Sequence, residues 1–144
     1  MARISKDMTS LILDGERNPE QARFLQIRNE IRRELDTGKY PIRVDITWAY
    51  EGDHAGMPTE NTMKLMEEFE DVLIPAMEKN NLALQAYQLT GEGERLWCFY
   101  TRNIGAFEET LNHATDELPH LPLTFYAEED RNAEAFAEVE MLLE

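Results

Sequence analysis

Two runs rich in aromatic and aliphatic residues, at residues 82–90 and 94–101, flank a polar break formed by Gly91, Glu92 and Gly93. Runs of this length and composition are typical of β-strands. Glycine readily adopts the positive φ angles that a tight reversal of the chain requires. The pattern therefore predicts a β-hairpin, around which the rest of the fold is arranged.

A third strand is predicted at residues 42–50, where apolar side chains recur at every second position. Arg43, Asp45, Thr47 and Ala49 alternate with them and point the other way. This alternation is typical of a strand that buries one face against a core.

Apolar residues at three- and four-residue spacing predict two amphipathic helices, at residues 59–79 and 104–118. A further strand is predicted at residues 121–127. The order strand, helix, strand, strand, helix, strand predicts an α+β fold of the ferredoxin-like, split β-α-β type, with both helices on one side of an antiparallel sheet. Right-handed crossovers place the first and third strands in the centre, so Trp48 and Trp97 are expected on neighbouring strands.

Both ends of the chain are expected to add helices to this plan. Apolar residues from Phe24 to Leu35 recur at helical spacing, which predicts a helix over residues 19–35. The predicted division is an N-terminal helical extension at residues 1–39 and a ferredoxin-like domain with a C-terminal helix at residues 40–144.

Acidity is the most unusual global property, because 14 basic and 29 acidic residues give the chain a formal net charge of −15. Nucleic acids and anionic membranes are repelled by a field of this sign, whereas a basic protein is attracted. We therefore expect no nucleic-acid partner and no membrane partner. Solubility alone is the alternative explanation of the acidity.

Cysteine usage and the polar N-terminus indicate a cytoplasmic protein. Cys98 is the only cysteine, so the chain forms no internal disulfide. Its place in an apolar strand favours a buried, inert thiol. Apolar runs also fall short of the roughly 20 residues that span a bilayer.

No catalytic or metal-binding motif stands out. His54, His113 and His120 lack the spacing of a zinc site and have no cysteine partner. The glycines at 91 and 93 are not followed by the helix that a phosphate site requires. We therefore expect no catalytic residue, no metal and no cofactor.

Residues 40–130 resemble a family of bacterial proteins, the "domain of unknown function" family numbered 695. The resemblance rests on short motifs and their order, which are Trp48 and Tyr50, Gly56-Met57-Pro58, Phe69-Glu70-Asp71, Leu89-Thr90-Gly91, Trp97-Cys98-Phe99-Tyr100-Thr101, Ala106-Phe107-Glu108 and His120-Leu121-Pro122-Leu123. It implies no established activity. It does imply occasional fusion to a domain similar to regulator of ribonuclease E activity B, an acidic protein inhibitor. Residues 8–35 fall outside the resemblance.

The sheet face opposite the predicted helices is the best candidate for a partner-binding surface. The parity of residues 95–101 leaves open which of its side chains face outward, but either set places large apolar groups there. Aromatics that stack on RNA bases sit among basic residues, and these do not, so the face favours protein over RNA. The candidate partner-binding residues are Asp45, Thr47, Tyr87, Trp97, Phe99 and Tyr126.

Three interpretations of this face remain open. In the first, a terminal helix covers it and it forms a second core. In the second, it binds a regulatory protein partner or a second copy of the chain. In the third, the protein is an enzyme or small-molecule binder that uses a pocket beside the 51–58 loop, which runs from Glu51 to Pro58 and contains Asp53, His54 and Met57. A non-enzymatic, acidic interaction or regulatory domain is our sequence-based prediction.

Overall fold

The computed structural model describes residues 8–13, 22–28, 30–52 and 56–143. Six strands and four α-helices are found in this part of the chain. The strands are β1 Met8–Leu13, β2 Arg23–Arg28, β3 Ile42–Ala49, β4 Ala83–Gly91, β5 Glu94–Thr101 and β6 Leu123–Glu129. The helices are α1 Arg32–Leu35, α2 Glu60–Glu78, α3 Ile104–Ala114 and α4 Glu134–Glu140, and the 3-10 segments Lys79–Asn81 and Met141–Leu143 follow α2 and α4.

All six strands pair antiparallel in one sheet of order β1-β2-β4-β5-β3-β6. The predicted α+β class is thereby confirmed. Trp48 and Trp97 lie on the neighbouring strands β3 and β5, as predicted, and their ring centroids are 6.2 Å apart on the same face. Two strands, β1 and β2, extend the sheet beyond the four that the sequence predicted.

The helix predicted over residues 19–35 is wrong at β2, which pairs with β1 on one side and β4 on the other. Only the four residues of α1 are helical in the described part of that segment. Phe24, which the helical spacing places inside, is 45% exposed, whereas Leu25 and Ile27 are 2% exposed. This alternation of buried and exposed residues is typical of a strand. A short apolar run fits both the helical and the strand period, and here pairing with the sheet decides for the strand. The helical extension predicted for residues 1–39 is therefore mainly strand where it is described.

β4 and β5 form the predicted hairpin. Its two-residue turn places Glu92 at φ 52° and Gly93 at φ 84°, and this pair of positive φ angles is typical of a type I′ turn. The turn sets the register in which Gln88 faces Trp97 and Tyr87 faces Cys98. It thereby decides which side chains of β5 point to each face of the sheet.

We call the sheet face beneath α2 and α3 the inner face. Phe69 of α2 packs between Trp48 and Trp97, with ring centroids 5.9 Å and 4.9 Å away. Glu70 accepts a hydrogen bond of 2.7 Å from the Trp97 indole, so the N–H of this buried ring is satisfied. The buried members of this core are Val44, Ile46, Trp48, Met66, Phe69, Leu73, Met77, Ala83, Trp97, Phe99 and Phe107.

The opposite face, which we call the outer face, holds a second core beneath α1 and α4. Its buried members are Leu25, Ile27, Ile31, Leu35, Tyr40, Leu84, Ala86, Cys98, Tyr100, Ala133 and Phe136. None of them comes from β3 or β6. A terminal helix thus covers the outer face on one half, whereas the half formed by β3 and β6 is left without such cover in the described part of the chain.

Asp130 links α4 to the sheet by hydrogen bonds. Its carboxylate accepts hydrogen bonds from the Tyr100 hydroxyl at 2.8 Å and from the Glu134 N–H at 2.8 Å. The Tyr100 hydroxyl in turn accepts the Phe136 N–H at 3.3 Å, and the Arg32 guanidinium lies 5.1 Å from the Phe136 ring centroid. The cover over the second core is therefore held by polar contacts as well as by apolar packing.

Candidate functional site

Four side chains form one row across the outer face. Asp45 is paired with Tyr126 of β6 on one side and with Cys98 of β5 on the other. Tyr87 of β4 stands opposite Cys98 and completes the row. The structure therefore brings together three of the predicted partner-binding residues, Asp45, Tyr87 and Tyr126.

Beyond the second core, β3 and β6 present Asp45, Thr47, Thr124 and Tyr126, which we call the outer strip. Thr47 pairs with Thr124, and Asp45 with Tyr126. Tyr126 is 53% exposed and Thr124 is also exposed, whereas Asp45 and Thr47 are partly buried. The outer strip therefore offers an accessible aromatic ring and the hydroxyls of two threonines and a tyrosine, with a mostly buried carboxylate beside them.

Arg43 organises the charges beside the outer strip. Its Nη2 lies 2.7 Å from the Glu128 carboxylate and its Nε lies 3.5 Å from Asp45. The Tyr126 hydroxyl donates a 2.6 Å hydrogen bond to Glu128, and the Arg43 guanidinium lies 5.9 Å from the Tyr126 ring centroid. These contacts hold the exposed ring of Tyr126 against one cation and one carboxylate.

The buried end of the row is not reactive. Burial raises the pKa of the Cys98 thiol well above its ordinary value and also raises the pKa of the Tyr87 hydroxyl. Burial likewise raises the pKa of Asp45, although the Arg43 guanidinium and the Cys98 thiol oppose this effect. A protonated thiol is a poor nucleophile, so the prediction that Cys98 is inert agrees with its surroundings.

Two of the predicted partner-binding residues lie elsewhere. Trp97 and Phe99 point to the inner face and are 0% exposed, so the assignment of these two to a partner surface is wrong for the folded chain. The sequence of β5 is apolar on both sides, and the hairpin register decides that its two large rings pack beneath the helices with Phe69. Leu96, Cys98 and Tyr100 are the set that faces outward.

The pocket predicted beside the 51–58 loop is only partly testable, because Asp53 and His54 lie outside the described residues. Met57 is partly buried. The Gly56 carbonyl accepts hydrogen bonds from the Tyr50 hydroxyl at 2.7 Å and from the Gly93 N–H at 3.0 Å. The described end of the loop is thus tied to the hairpin turn.

A cleft that the sequence did not predict lies between α3 and β6, with a volume of about 610 Å³. Apolar side chains make up part of its lining, and Glu108, Asn112, Asp116 and His120 contribute polar groups. Phe125, on the β6 side of the cleft, is 39% exposed and lies 5.9 Å from the Phe107 ring. The full lining is Ile46, Glu108, Leu111, Asn112, Thr115, Asp116, Leu118, Pro119, His120, Leu121, Leu123, Thr124 and Phe125.

Within the described ranges, no group of three His, Cys, Asp or Glu side chains is arranged to hold a metal ion. His113 and His120 are both exposed. The expected absence of metal and cofactor stays a prediction. Among the helices of the described ranges, none combines the length and apolar character needed to cross a bilayer.

The sequence model of a family of unknown function, DUF695, matches residues 17–139. The chain belongs to the DUF695 family. Neither the curated proteins nor the solved structures give a match. The DUF695 match starts before β2 and ends within α4, so the expectation that residues 8–35 lie outside the family is wrong from residue 17 onward. Membership of DUF695 assigns no activity, and the function must be inferred from the surfaces described above.

Proposed function

We propose that this DUF695 chain is a non-enzymatic, acidic protein-interaction domain that binds a basic protein partner through the outer strip. The observation that carries the proposal is that, in the described part of the chain, the cover of the outer face is incomplete and the second core contains no residue of β3 or β6. Protein interfaces combine aromatic side chains at the centre with a polar rim. The accessible ring and hydroxyls of the outer strip, which lie beside the second core, fit this description.

Charge favours a basic partner over other ligands. The formal net charge is −15, and Asp45 and Glu128 place carboxylates in or beside the outer strip. Such a field steers a cationic protein towards the strip and repels phosphate backbones and anionic lipids. Association with a second copy is the other form of the proposal, and the mutual repulsion of two acidic chains makes it the weaker one.

Among the described residues, the groups of the outer-face row have properties that suit binding better than catalysis. Cys98 and Tyr87 are protonated in their buried positions, and Asp45 is engaged with Arg43. The resemblance to bacterial proteins fused to an acidic inhibitor supports a regulatory role. A cytoplasmic location is part of the same proposal and rests on Cys98 being the only cysteine.

We also assign the core of the fold to the ferredoxin-like plan. This assignment rests on the order β4-β5-β3-β6, which places the first and third strands of the plan in the centre, and on the position of α2 and α3 on one face. β1, β2 and α1 are then additions at the β4 edge.

Tyr126→Arg tests the proposed function, because it replaces the exposed ring of the outer strip with a cation. We expect the variant to capture at least ten-fold less basic protein from a cell extract than wild type does, measured by quantitative pull-down at physiological salt. Val72→Arg is the matched control, since Val72 is 38% exposed on α2 and the charge change is the same. Equal capture by wild type and both variants would reject the outer strip as the partner surface, and a change in sedimentation of Tyr126→Arg alone would instead favour self-association.

A further inference from the structure

β6 is an edge strand, with β3 as its only strand neighbour in the described sheet. The Asp130 N–H bonds to the Pro41 carbonyl, and the Ala49 N–H bonds to the Pro122 carbonyl. Because antiparallel partners alternate between bonded and non-bonded pairs, the even-numbered residues of β6 bond to β3. The N–H and C=O groups of Phe125 and Ala127 therefore point away from the sheet.

The edge of β6 that faces away from β3 lies directly beside the cleft. Leu123 and Phe125 belong both to this edge and to the cleft lining. A cleft of about 610 Å³ is within the usual range for a ligand site. An extended segment paired with β6 would send every second side chain into the cleft and the alternate ones towards the side of Tyr126.

The acidic side chains of this region favour a basic segment. Glu108 and Asp116 line the cleft, and none of the lining residues is Lys or Arg. Glu128 and Glu129 end β6, where they are paired with Arg43 and Arg131. Edge strands often use charge to prevent pairing with copies of themselves, and the two glutamates oppose pairing of β6 with a second acidic β6. A basic strand meets no such barrier.

We propose that the β6 edge and the α3–β6 cleft bind an extended basic segment of a protein partner as an additional strand, with an apolar side chain seated in the cleft. Main-chain hydrogen bonds to Phe125 and Ala127 fix the segment, and contact with Phe125 and Leu123 selects its apolar residue. The proposal rests on the proposed function only in taking a protein as the ligand, because its site is the cleft and not the outer strip.

The test uses the full chain and an acetylated, amidated heptapeptide in which Lys alternates with Leu and Phe. Hydrogen exchange of backbone amides is followed by NMR with and without the peptide. At saturation we expect exchange at Phe125 and Ala127 to slow at least ten-fold, while Thr124 and Tyr126, whose amides already face β3, change little. Unchanged exchange at Phe125 and Ala127 in a saturated sample would overturn the added strand.

Two variants separate the cleft from general charge effects. Phe125→Lys places a cation in the cleft, and we expect it to weaken peptide binding at least ten-fold in a fluorescence titration. Phe24→Lys makes the same change at a residue of similar exposure, 45% against 39%, on a strand far from β6, and we expect binding within two-fold of wild type. Equal losses in both variants would overturn the proposed site.

Modified peptides test the same site without altering the protein. Methylation of the amides on one set of alternate peptide residues blocks the bonds to β6, and methylation of the other set leaves them intact. We expect at least a ten-fold difference between the two peptides, and no binding of a peptide with Glu in place of Lys. Equal binding of both methylated peptides would reject strand pairing.

The outcomes for the cleft and for the outer strip are distinguishable. Failure of the heptapeptide to bind, together with loss of capture in Tyr126→Arg, rejects the cleft and retains the outer strip. Binding of the heptapeptide with the expected variant effects, together with full capture by Tyr126→Arg, retains the cleft and rejects the strip.

Discussion

The two faces of the sheet are closed in different ways. On the inner face, α2 and α3 cover an aromatic cluster in which Phe69, Trp48 and Trp97 are at most 3% exposed. On the outer face, α1 and α4 cover only the half that contains β2, β4 and β5, and the cover is held by polar contacts at Asp130. The aromatic cluster beneath α2 on the inner face therefore serves mainly stability, whereas the outer face combines stability on one half with an accessible polar surface on the other.

This difference follows from the side chains that each face offers. Large aromatic rings bring few polar atoms into the core, and Glu70 satisfies the Trp97 indole, so burial of the cluster depends mainly on packing. The outer face carries Asp45 and Arg43, whose full burial is costly unless every polar group is paired. Arg43 and Asp45 are less than one-fifth exposed, and Arg43 Nε and Asp45 Oδ1 are buried without a hydrogen-bond partner in the described part of the chain, so this half of the outer face carries part of that cost.

Phe69→Ala gives the largest expected effect and tests the role of the inner face. Phe69 is 0% exposed and contacts both tryptophan rings, so the cavity left by its ring should lower the free energy of unfolding by about 3–5 kcal/mol. Urea denaturation followed by tryptophan fluorescence measures this loss.

Phe24→Ala is the matched control for Phe69→Ala. Phe24 is also a phenylalanine on the inner-face side of the sheet, but it is 45% exposed, so we expect a loss below about 1 kcal/mol. Similar losses in the two variants would contradict the view that the aromatic cluster under α2 carries the stability of this face.

The elements with strong local signals could be predicted from the sequence. The alternation in β3, the apolar stripe of α2 and the glycines around Glu92 each predict one structure only, and each is found. The shared outer-face position of Asp45, Thr47, Tyr87 and Tyr126 follows from this alternation once the strands are paired.

Other features depend on contacts that the sequence does not display. Phe24 to Leu35 fits both helical and strand periods, and the edge of β4 decides in favour of a strand for β2. The orientation of Trp97 and Phe99 is decided by the register of the hairpin and not by the apolar composition of β5. The cleft arises because α3 leaves Phe125 partly uncovered. The exposure of Phe125 is visible only in the packed structure, so the sequence could not predict the cleft.

Asp130→Asn has an intermediate expected effect and tests the hydrogen bonds that link α4 to the sheet on the outer face. Burial raises the pKa of Asp130, but hydrogen bonds from the Tyr100 hydroxyl and the N–H groups of Glu134 and Ala135 outweigh it, so the pKa in the folded chain is lowered. A lowered pKa means that the carboxylate stabilises the folded state above about pH 4 and loses this effect as the pH falls further. We expect the variant to be about 1 kcal/mol less stable at pH 7, with the difference vanishing at acidic pH.

Urea midpoints between pH 3 and pH 7 measure this dependence, and Asp45→Asn is its control of opposite sign. Burial raises the pKa of Asp45, so its ionisation opposes folding, and wild type should lose stability relative to Asp45→Asn as the pH rises above about 4. If stability changed with pH in the same direction for both variants, the opposite effects assigned to Asp130 beside α4 and to Asp45 in the open half of the outer face would be contradicted.

Tyr126→Ala has the smallest expected effect on stability and marks the limit of the outer-face core. The ring of Tyr126 is 53% exposed and its contacts with Glu128 and Arg43 lie at the surface. Loss of an exposed side chain of this kind changes the free energy of unfolding by no more than about 0.5 kcal/mol. Urea denaturation should therefore give nearly coincident curves for Tyr126→Ala and wild type. A loss approaching that of Phe69→Ala would mean that the outer strip is part of the core, and the contrast between the buried aromatic cluster of the inner face and the half-open outer face would no longer hold.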